Sequence, residues 1–268
     1  MNAPSQIVRS TDGVPIQYDI RGRGTPVLVF VHGWCCNRHY WDRQVGYFAP
    51  NYTVVRLDLA GHGASGRDRA RWTIPAFGQD VAAVVEQLGL EQVVLIGHSM
   101  GGAVIVETAR HLPATVIGLV DAKTWHDLEQ ALSPEQIAGV LAPFRDDFVE
   151  AMHAFVRSMF IPTSPVRLTE EIMHSMSEMP PQIGVDVGEQ VLAYDRVMQE
   201  RLQGVKAPKI AINSADWQHT NQEAALRCGI SVMLMSGVGH FVMMEDPQSF
   251  NRLLSEAVQE LISSSVAH

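Results

Sequence analysis

The five residues from 97 to 101, Gly-His-Ser-Met-Gly, constrain the fold of this chain more than any other feature. An apolar run at residues 93–96 leads into them, and a stretch with helical spacing follows. Gly97 and Gly101 lie two residues either side of Ser99, where side chains would crowd a strand that turns abruptly into a helix. This context is typical of a nucleophile elbow, which presents a serine hydroxyl to a base and to backbone N–H groups. The sequence therefore predicts that Ser99 is a nucleophile.

The composition fits one enzyme-sized domain of 268 residues, of which 46% are hydrophobic and 18% charged. The formal net charge of −9 disfavours nonspecific binding to nucleic acid or to an anionic membrane surface. Residues 1–6 lack the charged and apolar regions of a signal peptide, and no apolar run approaches the ~18 residues of a membrane span. We therefore expect a cytoplasmic protein with a small-molecule substrate and no nucleic-acid or membrane partner. A homo-oligomer stays open.

Neither a metal nor a nucleotide cofactor is predicted. The chain has three cysteines, an odd number, and none of them has C-x-x-C spacing. We therefore expect Cys35, Cys36 and Cys228 to be reduced, buried thiols rather than disulfides or zinc ligands. The chain has no H-E-x-x-H and no Walker A pattern. Residues 61–66 spell G-x-G-x-x-G, but the polar residues 67–69 follow instead of an amphipathic helix, which argues against a dinucleotide site.

Short apolar runs separated by helical patterns predict an α/β sheet. Several of these runs are rich in Val, Ile and Leu without alternation, as expected for parallel strands covered on both faces. The predicted strands span residues 14–19, 27–31, 53–57, 92–96, 116–120, 209–212 and 231–235, and the predicted helices include residues 81–88, 103–111 and 247–262.

In residues 127–205 the alternation of strand and helix patterns stops, and the sequence is typical of several short helices. We expect them to form a helical cap, or lid, on a core made of residues 1–126 and 206–268. The segment holds six of the twelve methionines. Such flexible apolar side chains can line a substrate cavity or fill an ordinary helical core, and both interpretations stay open.

A serine nucleophile needs a base, and His240 is the best candidate among eleven histidines. It follows the predicted strand at residues 231–235, and Gly237 and Gly239 let its loop carry an imidazole back over the carboxyl edge of the sheet. Two aspartates that end predicted strands between Ser99 and His240 in chain order could accept the imidazole N–H. Asp216 follows the penultimate strand, and Asp121 ends the strand after the elbow helix. We favour Asp216 and keep Asp121 as the alternative.

The oxyanion donors follow from the same logic. The first is the backbone N–H of Met100, at the positive end of the helix after the nucleophile. The second is the backbone N–H of Trp34, in the His-Gly-Trp loop after the strand at residues 27–31. His32 is expected to support that loop by hydrogen bonding rather than to take part in the chemistry. We expect the pocket to be lined by Trp34, Trp125 and Phe241.

Taken together, these motifs resemble the α/β-hydrolase superfamily over nearly the whole chain. Beyond the elbow, the matching segments are residues 32–34, 58–65 and 239–241. The resemblance implies a mostly parallel eight-stranded sheet with a helical cap insertion. Asp121 stands where some members, including those similar to type II haloalkane dehalogenases, place their acid. Ser99 excludes the aspartate nucleophile of those dehalogenases.

A second resemblance bears on the reaction type. Cofactor-free dioxygenases that cleave hydroxy-oxoquinolines also have a His-Gly-Trp loop, an elbow serine and an aspartate after the strand matching residues 116–120. The pentapeptide of this chain is more similar to that of ordinary esterases.

The first interpretation is therefore a serine hydrolase that cleaves a small carboxylic ester or lactone through an acyl-enzyme intermediate. The second is a cofactor-independent dioxygenase, in which His240 deprotonates a bound heteroaromatic and Ser99 only orients it. The third is a ligand receptor on the same scaffold, because a fold does not determine a function.

Overall fold

The computed structural model describes residues 6–129 and 131–266, and these form one eight-stranded sheet in the order β1-β2-β4-β3-β5-β6-β7-β8. Strand β2 pairs antiparallel with β1 and with β4, and all other pairs are parallel. The strands are β1 (Gln6–Arg9), β2 (Pro15–Arg21), β3 (Val27–Val31), β4 (Thr53–Leu57), β5 (Val93–His98), β6 (Val116–Ala122), β7 (Lys209–Ser214) and β8 (Ile230–Met235).

Helices connect the parallel strands and cover the sheet. A short 3-10 helix at Arg38–Trp41 precedes the first of them. The α-helices are α1 (Asp42–Phe48), α2 (Ile74–Gln87), α3 (Met100–His111), α4 (Pro134–Asp146), α5 (Phe148–Ser158), α6 (Val166–Ser177), α7 (Pro181–Gln203), α8 (Gln222–Arg227), α9 (Val242–Glu245) and α10 (Pro247–Val266).

The core lies at the middle of the sheet, where every residue of β3, β5 and β7 is buried. Full burial of a side chain such as Val29 or Leu95 contributes about 1.5–3 kcal/mol, which makes these strands a rigid support for the loops at their carboxyl ends. Apolar residues cover both faces of parallel strands, so their sequences are continuous apolar runs rather than alternating ones.

The predicted fold class is confirmed, and each of the seven predicted strands is present with ends shifted by no more than a few residues. Strand β1 is absent from the predicted set because Val8 is its only buried residue. The helix predicted at residues 81–88 begins earlier, at Ile74, because the Thr73 hydroxyl caps it by accepting from the Ala76 N–H at 3.2 Å.

Four helices, α4 to α7, stand between β6 and β7 in the chain, and we call them the inserted helices. Ser133 and Gln136 form a capping box at the start of α4, and Asp147 caps α5. Helix α7 is joined to α3 of the core through a hydrogen bond of 2.6 Å from the Tyr194 hydroxyl to the buried Glu107 carboxylate. The division into a core and a cap at residues 127 and 205 stays a prediction.

Within the described ranges, no helix is long and apolar enough to cross a membrane. Residues 1–5, on which part of the predicted location depends, lie outside the described residues.

Candidate active site

A strained turn carries Ser99. Strand β5 ends at His98, helix α3 begins at Met100, and Ser99 between them has φ 53° and ψ −125°. Such a backbone conformation costs on the order of 1–3 kcal/mol and persists only where surrounding contacts hold it. Here the Ser99 N–H donates to the Ala122 carbonyl at 3.2 Å, and the Thr124 hydroxyl donates to the Ser99 carbonyl at 2.6 Å. The turn fixes Ser99 at the carboxyl edge of the sheet.

The flanking glycines are required by close backbone approach. A Cβ on Gly97 would lie 2.3 Å from the Gly101 carbonyl oxygen, and a Cβ on Gly101 would lie 2.5 Å from the Val31 carbonyl oxygen. Backbone atoms cannot retreat as a flexible side chain can, so any larger residue would displace the turn. The steric reason predicted for these glycines is confirmed.

Ser99 and His240 line the same apolar cavity, of about 100 Å³, between the sheet edge and the inserted helices. Its other lining residues are Trp34, Cys36, His98, Val140, Leu141, Phe144, Phe155, Met159, Met176, Gly188, Val191, Leu192 and Phe241. Among these described residues none is Asp, Glu, Lys or Arg. A cavity of roughly 150 Å³ lined by apolar side chains holds a benzene ring, so this smaller one suits an uncharged group more compact than benzene.

Of the three residues predicted to line the substrate pocket, Trp34 and Phe241 line this cavity and Trp125 does not. Trp125 is fully buried, and its backbone N–H donates to the Asp121 carboxylate at 2.8 Å. That the cavity is the substrate pocket stays a prediction. The methionines of the inserted helices divide between the cavity and the helical core. Met159 and Met176 line the cavity, whereas Met152 is packed in the helical core with no exposed surface.

Residues on the inserted helices that sequence reasoning did not single out include Leu141, Val191 and Leu192. Their helical spacing is the same as that of ordinary core residues, so no sequence signal distinguishes them. His98, inside the pentapeptide, is a further cavity residue, and its position next to Ser99 was a usable signal.

His240 is buried and is held by aromatic rings rather than by a carboxylate. Its imidazole centroid lies 4.8 Å from that of His98 and 5.0 Å from that of the Trp217 indole. Burial holds the pKa of His240 well below its usual range, and the nearby His98, Lys123 and His126 lower this pKa further. Among the described residues, His240 Nδ1 has no hydrogen-bond partner, and no hydrogen bond joins His240 to Ser99.

Asp216, the favoured acid, is exposed in the loop after β7. Its carboxylate accepts from the Gly237 N–H at 2.5 Å, three residues before His240. Its own N–H donates to the Ser214 hydroxyl oxygen at 3.0 Å. The structure therefore connects Asp216 to the His240 loop but not to the imidazole itself.

Asp121, the alternative acid, is fully buried at the end of β6. One carboxylate oxygen accepts from the Thr124 and Trp125 N–H groups, each at 2.8 Å. The other oxygen has no partner within the described part of the chain, and a Cβ on Gly102 would lie 2.3 Å from it. Burial raises the pKa of Asp121 to about 6. This carboxylate holds the loop after β6 beneath the elbow helix.

The Trp34 loop stands beside Ser99, because a Cβ on Gly33 would lie 3.0 Å from the Ser99 Cβ. The Trp34 indole N–H donates to the Gly184 carbonyl of α7 at 2.8 Å, and its ring packs on Phe144 and Phe155. Met100 is buried as the first residue of α3. Met100 follows Ser99 in the chain, and Trp34 lines the same cavity as Ser99.

His32 supports this loop as expected. Its Nε2 accepts from the Leu59 N–H at 3.0 Å, and its Nδ1 lies 2.8 Å from the Gly33 carbonyl oxygen. These contacts are compatible with one neutral tautomer, in which Nδ1 donates. Burial lowers the pKa of His32 to about 4, so the ring stays neutral at physiological pH.

The three cysteines are free and buried, as predicted. Cys36 lines the cavity, and burial raises the pKa of its thiol to about 12. In the described residues, no group of three or more His, Cys, Asp or Glu side chains is arranged to hold a metal ion.

Comparison with known proteins places these observations in a family. Residues 28–253 match the alpha/beta hydrolase family. A pimeloyl-[acyl-carrier protein] methyl ester esterase from Yersinia enterocolitica is 23% identical over 91% of this chain and 98% of its own.

Among solved structures, an N-acyl homoserine lactone degrading enzyme has a TM-score of 0.78 and 27% identity, covering 94% of this chain and 99% of its own. A putative aryl esterase from Burkholderia cenocepacia has a TM-score of 0.80 and 22% identity, covering 97% of this chain and 100% of its own. The second likeness establishes the fold alone.

Proposed function

Because the chain belongs to the alpha/beta hydrolase family, we propose that it is a serine hydrolase that cleaves small, uncharged carboxylic esters or lactones through an acyl-enzyme intermediate. The observation that carries the proposal is that Ser99, on a strained turn, and His240 line one apolar cavity. The esterase and the lactone-degrading enzyme among the similar proteins support hydrolysis over the dioxygenase and receptor alternatives.

In the first half-reaction, Ser99 Oγ attacks the substrate carbonyl carbon while His240 takes the hydroxyl proton. The tetrahedral oxyanion accepts hydrogen bonds from the backbone N–H groups of Trp34 and Met100. Collapse of this intermediate expels the alcohol, which takes the proton from His240, and leaves the acyl group on Ser99. In a lactone the alcohol stays attached to the acyl chain.

In the second half-reaction, His240 removes a proton from a water molecule as its oxygen attacks the acyl carbon. The same two N–H groups stabilise the oxyanion, and His240 returns the proton to Ser99 Oγ as the acid leaves. His240 is neutral at the start of each half-reaction. The low pKa that burial imposes keeps it in this form over the physiological pH range.

Asp216 is the proposed partner of the His240 imidazole. Its carboxylate already binds the His240 loop at Gly237, and its neighbour Trp217 contacts the imidazole. A rotation of the Asp216 side chain from the Gly237 N–H toward Nδ1 would give the carboxylate that a catalytic triad requires. In Asp121, by contrast, one carboxylate oxygen already accepts from two backbone N–H groups of its own loop.

The cavity favours a compact acyl group without formal charge. Placing a charge among Trp34, Phe144 and Phe155 would cost desolvation energy that no lining side chain of opposite charge offsets. The limited volume favours short or cyclic acyl groups over long chains.

A series of p-nitrophenyl esters tests this function. We expect kcat/KM to be highest for short acyl chains and to fall as the chain outgrows the cavity, and Ser99→Ala to lower kcat by at least ~10³. Consumption of dioxygen with a hydroxyquinolone by Ser99→Ala, but not by His240→Ala, would replace this function with the dioxygenase. Ligand-induced melting shifts without any turnover would replace it with the receptor.

A further inference from the structure

The carboxylate of Glu245 binds the backbone on both sides of His240. Glu245 ends the short helix α9, which directly follows the His240 loop. It accepts from the Gly239 N–H at 2.9 Å and from the Phe241 N–H at 3.1 Å. Hydrogen bonds to an ionised carboxylate are among the stronger ones in proteins, so Glu245 fixes the peptide units that flank the imidazole.

The backbone N–H of His240, between those of Gly239 and Phe241, binds the end of an inserted helix. The His240 N–H donates to the Met159 carbonyl, at the end of α5, at 2.9 Å. A Cβ on Gly239 would lie 2.4 Å from this same carbonyl oxygen. Three consecutive N–H groups of the His240 loop are therefore bound, two by Glu245 and one by the segment at residues 159–165, which we call the α5–α6 connection.

Glu245 also contacts this connection directly. The Ser164 hydroxyl donates to Glu245 Oε2, the oxygen that also accepts from the Gly239 N–H. The same hydroxyl oxygen accepts from the Ile161 N–H at 3.1 Å. The Phe160 ring stacks on the Phe241 ring with centroids 5.4 Å apart. The carboxylate of Glu245 therefore makes two kinds of contact. It binds the backbone of the His240 loop, and it joins that loop to the α5–α6 connection.

We propose that Glu245 is a positioning residue that places His240 for proton transfer and makes this placement depend on the seating of the α5–α6 connection. The proposal rests on the proposed function, in which His240 is the base. When the connection is seated, all three N–H groups are bound and the imidazole is fixed. When it lifts, His240 loses the Met159 carbonyl and Glu245 loses Ser164, so the base moves out of register with Ser99.

The charge environment agrees with this geometry. Burial raises the pKa of Glu245, and the hydrogen bonds from Ser164, Gly239 and Phe241 oppose that rise. The donors that Glu245 positions therefore favour its ionised form. The other titratable groups near His240 are His98 at the end of β5, and Lys123 and His126 after β6.

Steady-state kinetics of Glu245→Ala, Glu245→Gln and Ser164→Ala test the proposal, with Glu256→Ala on an exposed face of α10 as the matched control. A misplaced base costs on the order of 10²-fold, so we expect Glu245→Ala to lower kcat by about that factor with KM changed less than about threefold. Ser164→Ala keeps the bonds to Gly239 and Phe241, and we expect a smaller loss of kcat. Glu245→Gln keeps a hydrogen-bond acceptor but not the charge, so its kcat should lie between those of the native protein and Glu245→Ala.

Two readouts distinguish positioning from mere stability and do not require activity. Freed from the buried loop, the His240 ring should titrate closer to its usual pKa in Glu245→Ala when followed by NMR. Hydrogen exchange at residues 239–241 should be faster in both Glu245 variants and in Ser164→Ala, at temperatures well below each melting point. Unchanged exchange at residues 239–241 and an unchanged His240 titration in folded Glu245→Ala would overturn the proposal, whatever the activity. Absence of ester and lactone hydrolysis by the native chain would instead contradict the proposed function.

Discussion

The indole of Trp217 packs edge-on against the imidazole of His240, with ring centroids 5.0 Å apart. The Lys123 ammonium lies 5.0 Å from the centroid of the same indole and donates to the Gln218 carbonyl at 3.1 Å. Trp217 therefore contacts a buried cation as well as the proposed base. The positive charge of Lys123 disfavours protonation of His240, which favours the neutral form that a general base needs.

The first prediction concerns pH. His240 must be neutral to accept the Ser99 proton, and its pKa is lowered by burial first and then by His98, Lys123 and His126. A lowered pKa moves the acid limb of the rate profile to lower pH, so kcat/KM should stay level from pH 8 to below 6.5. Lys123→Met should shift this limb upward, because the cation no longer opposes protonation.

Measurement of kcat/KM against pH for the native enzyme and for Lys123→Met tests this prediction. Lys123→Arg keeps the charge and serves as the control, with thermal melts to confirm folding. A native limb centred at or above pH 6.5 would show that a carboxylate near the imidazole outweighs burial and the neighbouring cation.

The second prediction concerns the acid. Loss of the carboxylate that orients the base costs ~10²–10⁴ in kcat, so Asp216→Asn should show a defect of this size. Asp121→Asn should have the smaller effect on kcat but the larger effect on melting temperature, because the Asp121 carboxylate binds the Thr124 and Trp125 N–H groups in a fully buried site.

Kinetics and melts of both variants must be compared under the same conditions. If folded Asp216→Asn stays within about tenfold of the native kcat while folded Asp121→Asn collapses, the acid belongs at the end of β6.

The third prediction concerns substrate size. A Cβ on Gly188 would lie 2.9 Å from the Trp34 ring and 3.2 Å from Leu141, inside the cavity wall. Gly188→Ala should therefore lower kcat/KM for larger acyl groups more than for acetate esters. Gly139→Ala, in helix α4, meets no atom within 4 Å and should leave the chain-length profile unchanged. An identical profile in the two variants would contradict the assigned cavity.

The fourth prediction concerns the attachment of the inserted helices. Tyr194→Phe removes the hydrogen bond to the buried Glu107 carboxylate and leaves it fewer donors, which should lower the free energy of unfolding by about 1–3 kcal/mol. Thermal melts should show a lower melting temperature, with kcat at 20 °C little changed. A melting temperature equal to the native one would mean that the bond contributes nothing to stability.

The sequence was sufficient for the fold because its strong signals were local. Continuous apolar runs define the central strands, and the glycines around Ser99 follow from close approaches that any such turn requires. The location of His240 in the same cavity as Ser99 was also accessible, because parallel strands end at one edge.

The sequence could not provide the contacts made across the inserted helices. Trp125 and Trp34 are alike as residue types, but the first is fully buried and does not line the cavity, whereas the second lines it. Nothing local distinguishes Leu141 from a core leucine, or shows that Glu245 reaches both Gly239 and Ser164. Such features depend on how separate elements pack together. The cytoplasmic location and the oligomeric state stay predictions.

Reaction with a fluorophosphonate, followed by intact-mass and peptide analysis, tests whether Ser99 is a nucleophile activated by His240. We expect one adduct per native chain, located on Ser99, absent from Ser99→Ala and formed at least ~10²-fold more slowly by His240→Ala. Labelling of Ser99→Ala at the native rate, or no adduct on a folded native chain, would contradict it.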